Sequence, residues 1–350
     1  MADYVGVTMI GMAGAWVLRP FGGAADHALV EALWSAALEP RWPLLPRAIA
    51  IMRDGFVAVD RGRAVGCVAV DLAGSIPLVM VAPADQRRGI GTDLLSAALA
   101  RLSTAGVSVA HAGSGGPDYI WPGVPLDLPA AGRFFAAGGW QADRDTVDLV
   151  ADLRDYRRPA AASERARRAG VTIAPAVAAD LAAVVAFETA TFPSWTRWFR
   201  VGNQDILLAR DGAGTIVATL LFDGPGADTV FLPMLGPAAA TIGCVGVAPH
   251  MEGRGIGTAL VARASQILRD RGAGACHIGW TVRESFYTRA GYRPWRRYRM
   301  FRKATSYHQA PLPPVRTRAS STSSSTAGGP SRAWPSAWPT HSGHGRCHLA

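Results

Sequence analysis

The apolar positions of this chain change period in an order that occurs twice. Trp16-Val-Leu-Arg and Val171-Thr-Ile-Ala read as extended openings, each followed by an Ala/Leu-rich stretch, 24–38 and 178–191, whose spacing predicts a helix. Phe56-Val-Ala-Val and Ala64-Val-Gly-Cys-Val-Ala-Val flank Asp60-Arg-Gly-Arg, a hairpin pattern. Ile206-Leu-Leu-Ala and Thr215-Ile-Val-Ala-Thr-Leu-Leu-Phe flank Arg210-Asp-Gly-Ala-Gly in the same way. Strands ending at Val81 and Val247 lead into helices over Gly89–Thr104 and Gly255–Arg271. A strand, a short helix and a final strand close each series. No stretch offers about 20 apolar residues without a charge or a Gly/Pro break, so no spanning helix is expected.

The duplication is also visible residue by residue. Val81-Ala-Pro-Ala-Asp-Gln-Arg-Arg-Gly-Ile-Gly-Thr returns 166 residues later as Val247-Ala-Pro-His-Met-Glu-Gly-Arg-Gly-Ile-Gly-Thr. Arg133-Phe-Phe-Ala-Ala-Gly-Gly-Trp returns 152 residues later as Ser285-Phe-Tyr-Thr-Arg-Ala-Gly-Tyr, so the first copy holds about 14 extra residues, within His111–Pro129. The expected organisation is a first domain over 1–156, a linker over 157–170, a second domain over 171–303 and a disordered tail over 304–350. The tail expectation rests on a composition that turns to Ser, Thr, Pro, Arg and Gly, and on too few regularly spaced apolar residues to join a core.

Length and composition fit that division: 350 residues exceed one ordinary core, and 49% hydrophobic against 18% charged residues excludes wholesale disorder. A net charge of +10 invites a nucleic-acid reading, but four of those charges, Arg316, Arg318, Arg332 and Arg346, fall in the acid-free tail. Nucleic acid is therefore the weaker expectation. Cys67, Cys244, Cys276 and Cys347 are scattered singly, without the CxxC spacing of a metal or redox site, and no metal is expected. The weakly apolar run from Val5 to Ala15 has no Lys or Arg before it, unlike a secretory leader, so a cytoplasmic location is expected.

The chemistry is expected at the turn that follows Val81 and Val247. A strand feeding a Gly-rich turn into a helix start aims unpaired N–H groups and the positive end of the helix dipole at one spot, which attracts phosphate. Gly89 and Gly91, with Gly253, Gly255 and Gly257, keep that approach free of side chains, while Arg87, Arg88 and Arg254 add positive charge. The third glycine of a dinucleotide fingerprint is absent, and no Gly-Lys-Ser/Thr completes a P-loop.

These residues resemble the GNAT superfamily of N-acetyltransferases, whose turn carries V-x-P-x-x-[QR]-x-x-G-x-[GA]. The first copy matches fully, and the second has Glu252 where Gln or Arg is usual. The resemblance covers residues 14–303 and implies an α/β (α+β) fold of two tandem domains, each a mixed, mostly antiparallel sheet flanked by helices. It implies acetyl-CoA as acyl donor, bound by Val81, Gln86, Arg87, Arg88, Gly89, Ile90, Gly91 and Thr92 and by Val247, Gly253, Arg254, Gly255, Ile256, Gly257 and Thr258. The acceptor it implies is a small-molecule or peptide amine of unstated identity, attacked directly; the oligomeric state is open.

Tyr287 in Phe286-Tyr-Thr-Arg-Ala-Gly-Tyr stands where members of the family place an acid that protonates the departing thiolate, and Phe135 replaces it in the first copy. No carboxylate lies in Thr241–Val247 to serve as a base. Glu188 and Asp223 are candidates by position, though solvated acids are the commoner use of such residues. His250 and His277 are expected at the surface and at a strand end. Tyr119–Pro125 is expected to line an acceptor pocket or to pack on the first core; Trp195, Trp198 and Phe199 should bury a helix face. Two further function classes stay open, a non-catalytic acyl-CoA sensor and a nucleic-acid binder.

Overall fold

The two series of strands join into one 13-stranded mixed sheet in the computed structural model, which describes residues 16–45, 49–50, 52–113, 120–200, 204–226 and 231–305. The first half supplies β1 (Trp16–Pro20), β2 (Gly55–Asp60), β3 (Arg63–Asp71), β4 (Ser75–Val81) and β5 (Val109–Ala112). The second half supplies β8 (Thr172–Pro175), β9 (Asp205–Arg210), β10 (Ile216–Asp223), β11 (Ala239–Val247) and β12 (Ala275–Thr281). Between β5 and β12 lie two 12-residue strands, β7 (Gln141–Asp152) and β13 (Arg293–Ala304), while the short β6 (Val124–Pro125) pairs with β13.

The closing strands are exchanged between the halves. β13, last in the chain, pairs with β5 of the first half, from Phe301 opposite Ala112 to Ala304 opposite Val109. β7 pairs with β12 of the second half, from Ala275 opposite Asp152 to Thr281 opposite Val147. The two long strands pair with each other from Arg293 opposite Val150 to Arg302 opposite Gln141. Each half therefore completes its core with residues of the other. Val147, Leu149, Ala151, Leu153 and Tyr156 are buried among second-half residues, and Phe301 is buried in the first-half core.

Helices cover both faces. α1 (His27–Ala37) buries Val30, Leu33 and Trp34 on one face, and α2 (Ile90–Thr104) buries Ile90, Leu94, Ala98 and Leu102 on the other. α3 (Pro129–Ala137) precedes β7. The expected linker holds a helix, α4 (Ala160–Arg168), whose Ala162 and Ala166 are buried. In the second half α5 (Leu181–Thr191) and α6 (Thr196–Arg200) pack opposite α8 (Ile256–Asp270), with α7 (Leu232–Leu235) before β11 and α9 (Glu284–Thr288) before β13.

The expected tail starts two residues too early: Ala304 still pairs in β13, and Thr305 is buried, its amide donating to the Ser108 carbonyl at 2.9 Å. Residues from Ser306 onward lie outside the described residues. Among the described residues no helix is long and apolar enough to cross a membrane.

Candidate active site

The repeated motif folds into two turns of nearly the same backbone. Ala82 and Ala248 leave their strands at φ/ψ of −50°/134° and −53°/136°. Gly89 and Gly255 open their helices at positive φ of 96° and 82°, and the residue two before each is also left-handed, Arg87 at 65° and Gly253 at 76°. Alternating left-handed residues turn successive amides toward one side, forming a nest for an anion at the helix start. The second copy uses glycine at both positions; the first holds a side chain in a conformation costing about 1–2 kcal/mol.

Phenylalanines support both turns. A Cβ on Gly91 would meet the Phe134 ring at 3.1 Å, and one on Gly257 would meet the Phe286 ring at 2.9 Å. The glycines therefore serve close packing as well as turn shape.

The second half opens beyond its turn. β11 pairs in parallel with β12 only from Ala239 opposite Ala275 to Ile242 opposite Ile278, leaving Gly243–Val247 without a partner on that side. At the fork Cys244 has φ 48°, opposite a register shift in β10, and Trp280 on β12 has φ 53°. Two non-glycine residues held in the left-handed region mark strain where the strands part.

Tyr287 from α9 is 1% exposed and interacts electrostatically with the Cys244 thiol at this fork. Burial raises its pKa, so the phenol keeps its proton. The matching Phe135 packs edge-on to Trp140 at 5.2 Å and stacks on Phe301 at 5.7 Å, as an ordinary core residue.

Glu188 corrects the expectation of a solvated acid. It faces inward from α5 and is fully buried, with one oxygen accepting the Thr219 hydroxyl. Its other oxygen, Oε2, has no hydrogen-bond partner among the described residues. Burial raises its carboxyl to about 7, and it acts electrostatically on Cys244, as does the Arg197 guanidinium. Asp223 lies apart at the end of β10, accepting from Gln204 at 2.6 Å. His277 is not at the surface: it is 8% exposed, its Nε2 3.3 Å from the Asp148 carboxylate.

The first-half turn is occupied by its own chain. The Trp16 ring stands 3.9 Å from where a Gly89 Cβ would lie, and its Nε1 donates to Asp93 at 3.0 Å. Asp93 places a carboxylate in the first turn of α2, where the second half has Ala259. Arg88 is drawn aside to Asp60 at 2.7 Å and Asp85 at 2.6 Å, and Gln86 donates to the Val81 carbonyl at 3.1 Å. β4 and β5 also part, pairing only at Ser75–His111 and Ile76–Ala112. Ile120 and Trp121, from the extra residues of this copy, pack there with Leu78 and Met80, so the described part of Tyr119–Pro125 joins the first core. Tyr119 lies outside the described residues.

The second-half turn is covered by a cation that the motif did not single out. A Cβ on Gly255 would lie 2.6 Å from Cδ of Arg165, an exposed residue of α4. Sequence pattern placed Arg165 in a linker, and nothing in its neighbours marked it as a residue lying against this turn. Among the described residues no group of three or more His, Cys, Asp or Glu is arranged to hold a metal.

Residues 176–292 match the model of the Acetyltransferase (GNAT) family. The mycothiol acetyltransferase of Clavibacter sepedonicus is 30% identical over 210 residues, 55% of this chain and 60% of that protein. That of Clavibacter michiganensis subsp. michiganensis aligns to the same extent. The alignment thus spans under two thirds of these curated relatives. The GCN5-related glucosamine N-acetyltransferase region of a fungal multi-domain GH3 β-N-acetylglucosaminidase superposes with a TM-score of 0.76 and 29% identity, over 86% of this chain and 39% of that one. A tandem GNAT protein from the clavulanic acid biosynthesis pathway shares the fold, with a TM-score of 0.57 and 19% identity over 83% of this chain and 98% of that one.

Proposed function

We propose that this chain, whose residues 176–292 match the model of the Acetyltransferase (GNAT) family, transfers an acetyl group from acetyl-CoA to a small amine in its second half. The observation that carries the reading is the fork between β11 and β12, with the glycine turn at its base and the protonated Tyr287 beside it. The nest suits a pyrophosphate: Gly253 faces open space, Gly257 and Thr258 are buried beneath it, and Arg165 and Arg254 bring positive charge to its rim. Val247, Gly253, Arg254, Gly255, Ile256, Gly257 and Thr258 would hold the donor there.

Acetyl-CoA supplies the activated thioester. The parted edge of β11 offers backbone groups that no strand has claimed, which orient and polarise a carbonyl laid along it. Tyr287 gives its proton to the departing sulfur. The first half takes a supporting part in this reading, because Trp16 and Asp93 stand beside its turn, Arg88 is held by Asp60 and Asp85, and Phe135 offers no proton. The turn from Val81 to Thr92 is thereby a structural relic of the duplicated site, and one donor binds per chain.

The neighbour named for glucosamine supports an amino sugar as the first acceptor to try. The test is release of free thiol by the full chain supplied with acetyl-CoA and glucosamine. Release above the no-acceptor rate, lost on Tyr287→Phe, supports the reading; no release with glucosamine or a panel of simple amines overturns it.

A further inference from the structure

We infer that Glu188 is the general base of the second-half site, accepting the proton of the incoming amine through its unpartnered Oε2. This deepens the acetyltransferase reading and rests on it. The surroundings point to that role. Glu188 faces the sheet opposite α8, the helix whose start forms the phosphate turn, so donor and base approach the fork from opposite faces. Cys244 at the fork interacts with both Glu188 and Tyr287, which places acid and base around one strained residue.

A groove opens at the next residue along α5. Thr189, the next residue of α5, lines an open groove with Pro193, Thr196, Arg197 and Arg200. Thr196 Oγ1 is buried in that wall with no hydrogen-bond partner among the described residues. Hydroxyls and guanidinium groups suit a polyhydroxylated amine better than an apolar one. The groove residue Arg197 also acts on Cys244, which ties groove and fork together.

A structural carboxylate would have its lone pairs satisfied, because an unpaired buried charge is costly. Glu188 has only the Thr219 hydroxyl, and its carboxyl is raised to about 7, where a base is most effective near neutral pH. Among the described residues Cys244 from β11 is the titratable group that interacts with it, and Cys244 in turn interacts with Tyr287 from α9 and Arg197 from α6; β10 contributes the neutral Thr219.

The proton balance closes with these two residues. Glu188 takes one proton from the ammonium form of the acceptor. The nitrogen then bonds to the acyl carbon and the carbon–sulfur bond breaks. Tyr287 protonates the sulfur and regains a proton from the second one the nitrogen loses, while Glu188 returns its own to water.

The experiment measures thiol release by the full chain between pH 5.5 and 9 for wild type, Glu188→Gln, Glu188→Asp and Thr219→Val, with acetyl-CoA affinity measured separately. Glu188→Gln should lose about 10²- to 10⁴-fold in kcat/KM, keep its acetyl-CoA affinity, and lose the rise in rate centred near pH 7. Glu188→Asp should recover part of the rate. Thr219→Val removes a bond that favours the ionised carboxylate, so the rise should move to higher pH. A wild-type rate and profile in Glu188→Gln overturns the inference while leaving acetyl transfer intact. If that variant does not fold, an unshifted profile in Thr219→Val overturns it. A wild type that transfers to no amine overturns the underlying reading and the base with it.

Discussion

Tyr298 donates its hydroxyl to Asp148 at 2.8 Å, bonding the last strand of the second half to the last strand of the first. Asp148 is 1% exposed, and its other oxygen accepts the Trp280 amide at 2.7 Å, so one carboxylate holds β13, β7 and the strained end of β12. Replacing it by alanine strands the buried Tyr298 hydroxyl and the half-buried Trp280 amide. Asp148→Ala should lower unfolding free energy by about 3 kcal/mol, read from the denaturant midpoint. A variant of wild-type stability would mean that this junction contributes little.

Strand exchange makes a second prediction about how the chain can be cut. A segment of residues 171–303 lacks β7, leaving the edge of β12 bare and Cys276, Ile278 and Tyr292 without Leu149, Ala151 and Tyr156. An uncovered apolar edge strand is prone to aggregate. That segment should be insoluble or molten, whereas 141–305, which retains β7 and α4, should show a cooperative thermal transition. Cooperative unfolding of 171–303 would show that β7 is dispensable.

The order of strands and helices, the repeated motif and both glycine turns were legible in the sequence because they are local: period, turn chemistry and glycine spacing lie within one strand–turn–helix unit. The exchange of β7 and β13 was not, since each strand reads the same whichever partner it takes, and pairing is chosen by contacts over 100 residues away. Glu188 was visible only as a position on α5. Its burial depends on Thr219 and on the α5–α6 layer, neither of which the helix pattern shows. The crowding of the first-half turn was likewise hidden, because Trp16 reaches it from a distant segment.

Tyr287→Phe should lower turnover about 10²- to 10⁴-fold and leave acetyl-CoA affinity nearly unchanged, since in the proposed reaction the phenol serves the leaving sulfur and not the phosphates. The loss should appear in kcat. An unchanged kcat would remove Tyr287 from the proton path.

Native mass spectrometry should count one acetyl-CoA per chain. Gly255→Val, at φ 82° and against Arg165, should abolish binding, and Arg165→Ala should weaken it about tenfold with a reduced salt dependence. Gly89→Val should leave binding in place. Two bound donors, or loss of binding with Gly89→Val, would restore the first-half turn as a functional site.

The last prediction uses Glu188 as a stability probe independent of turnover. Its carboxyl is raised in the folded chain from 4.5 to about 7, so between those values the folded state holds a proton that the unfolded state has released. Stability from this group is therefore undiminished below about pH 4.5 and falls as pH rises toward 7, by about 3 kcal/mol in all at about 1.4 kcal/mol per unit. Glu188→Gln cannot ionise and escapes that loss. The variant should gain stability relative to wild type as pH rises from 4.5 to 7, and the difference should level off above that. Parallel stability curves for the two proteins would show that Glu188 ionises at an ordinary carboxylate pKa and is solvated in the folded chain.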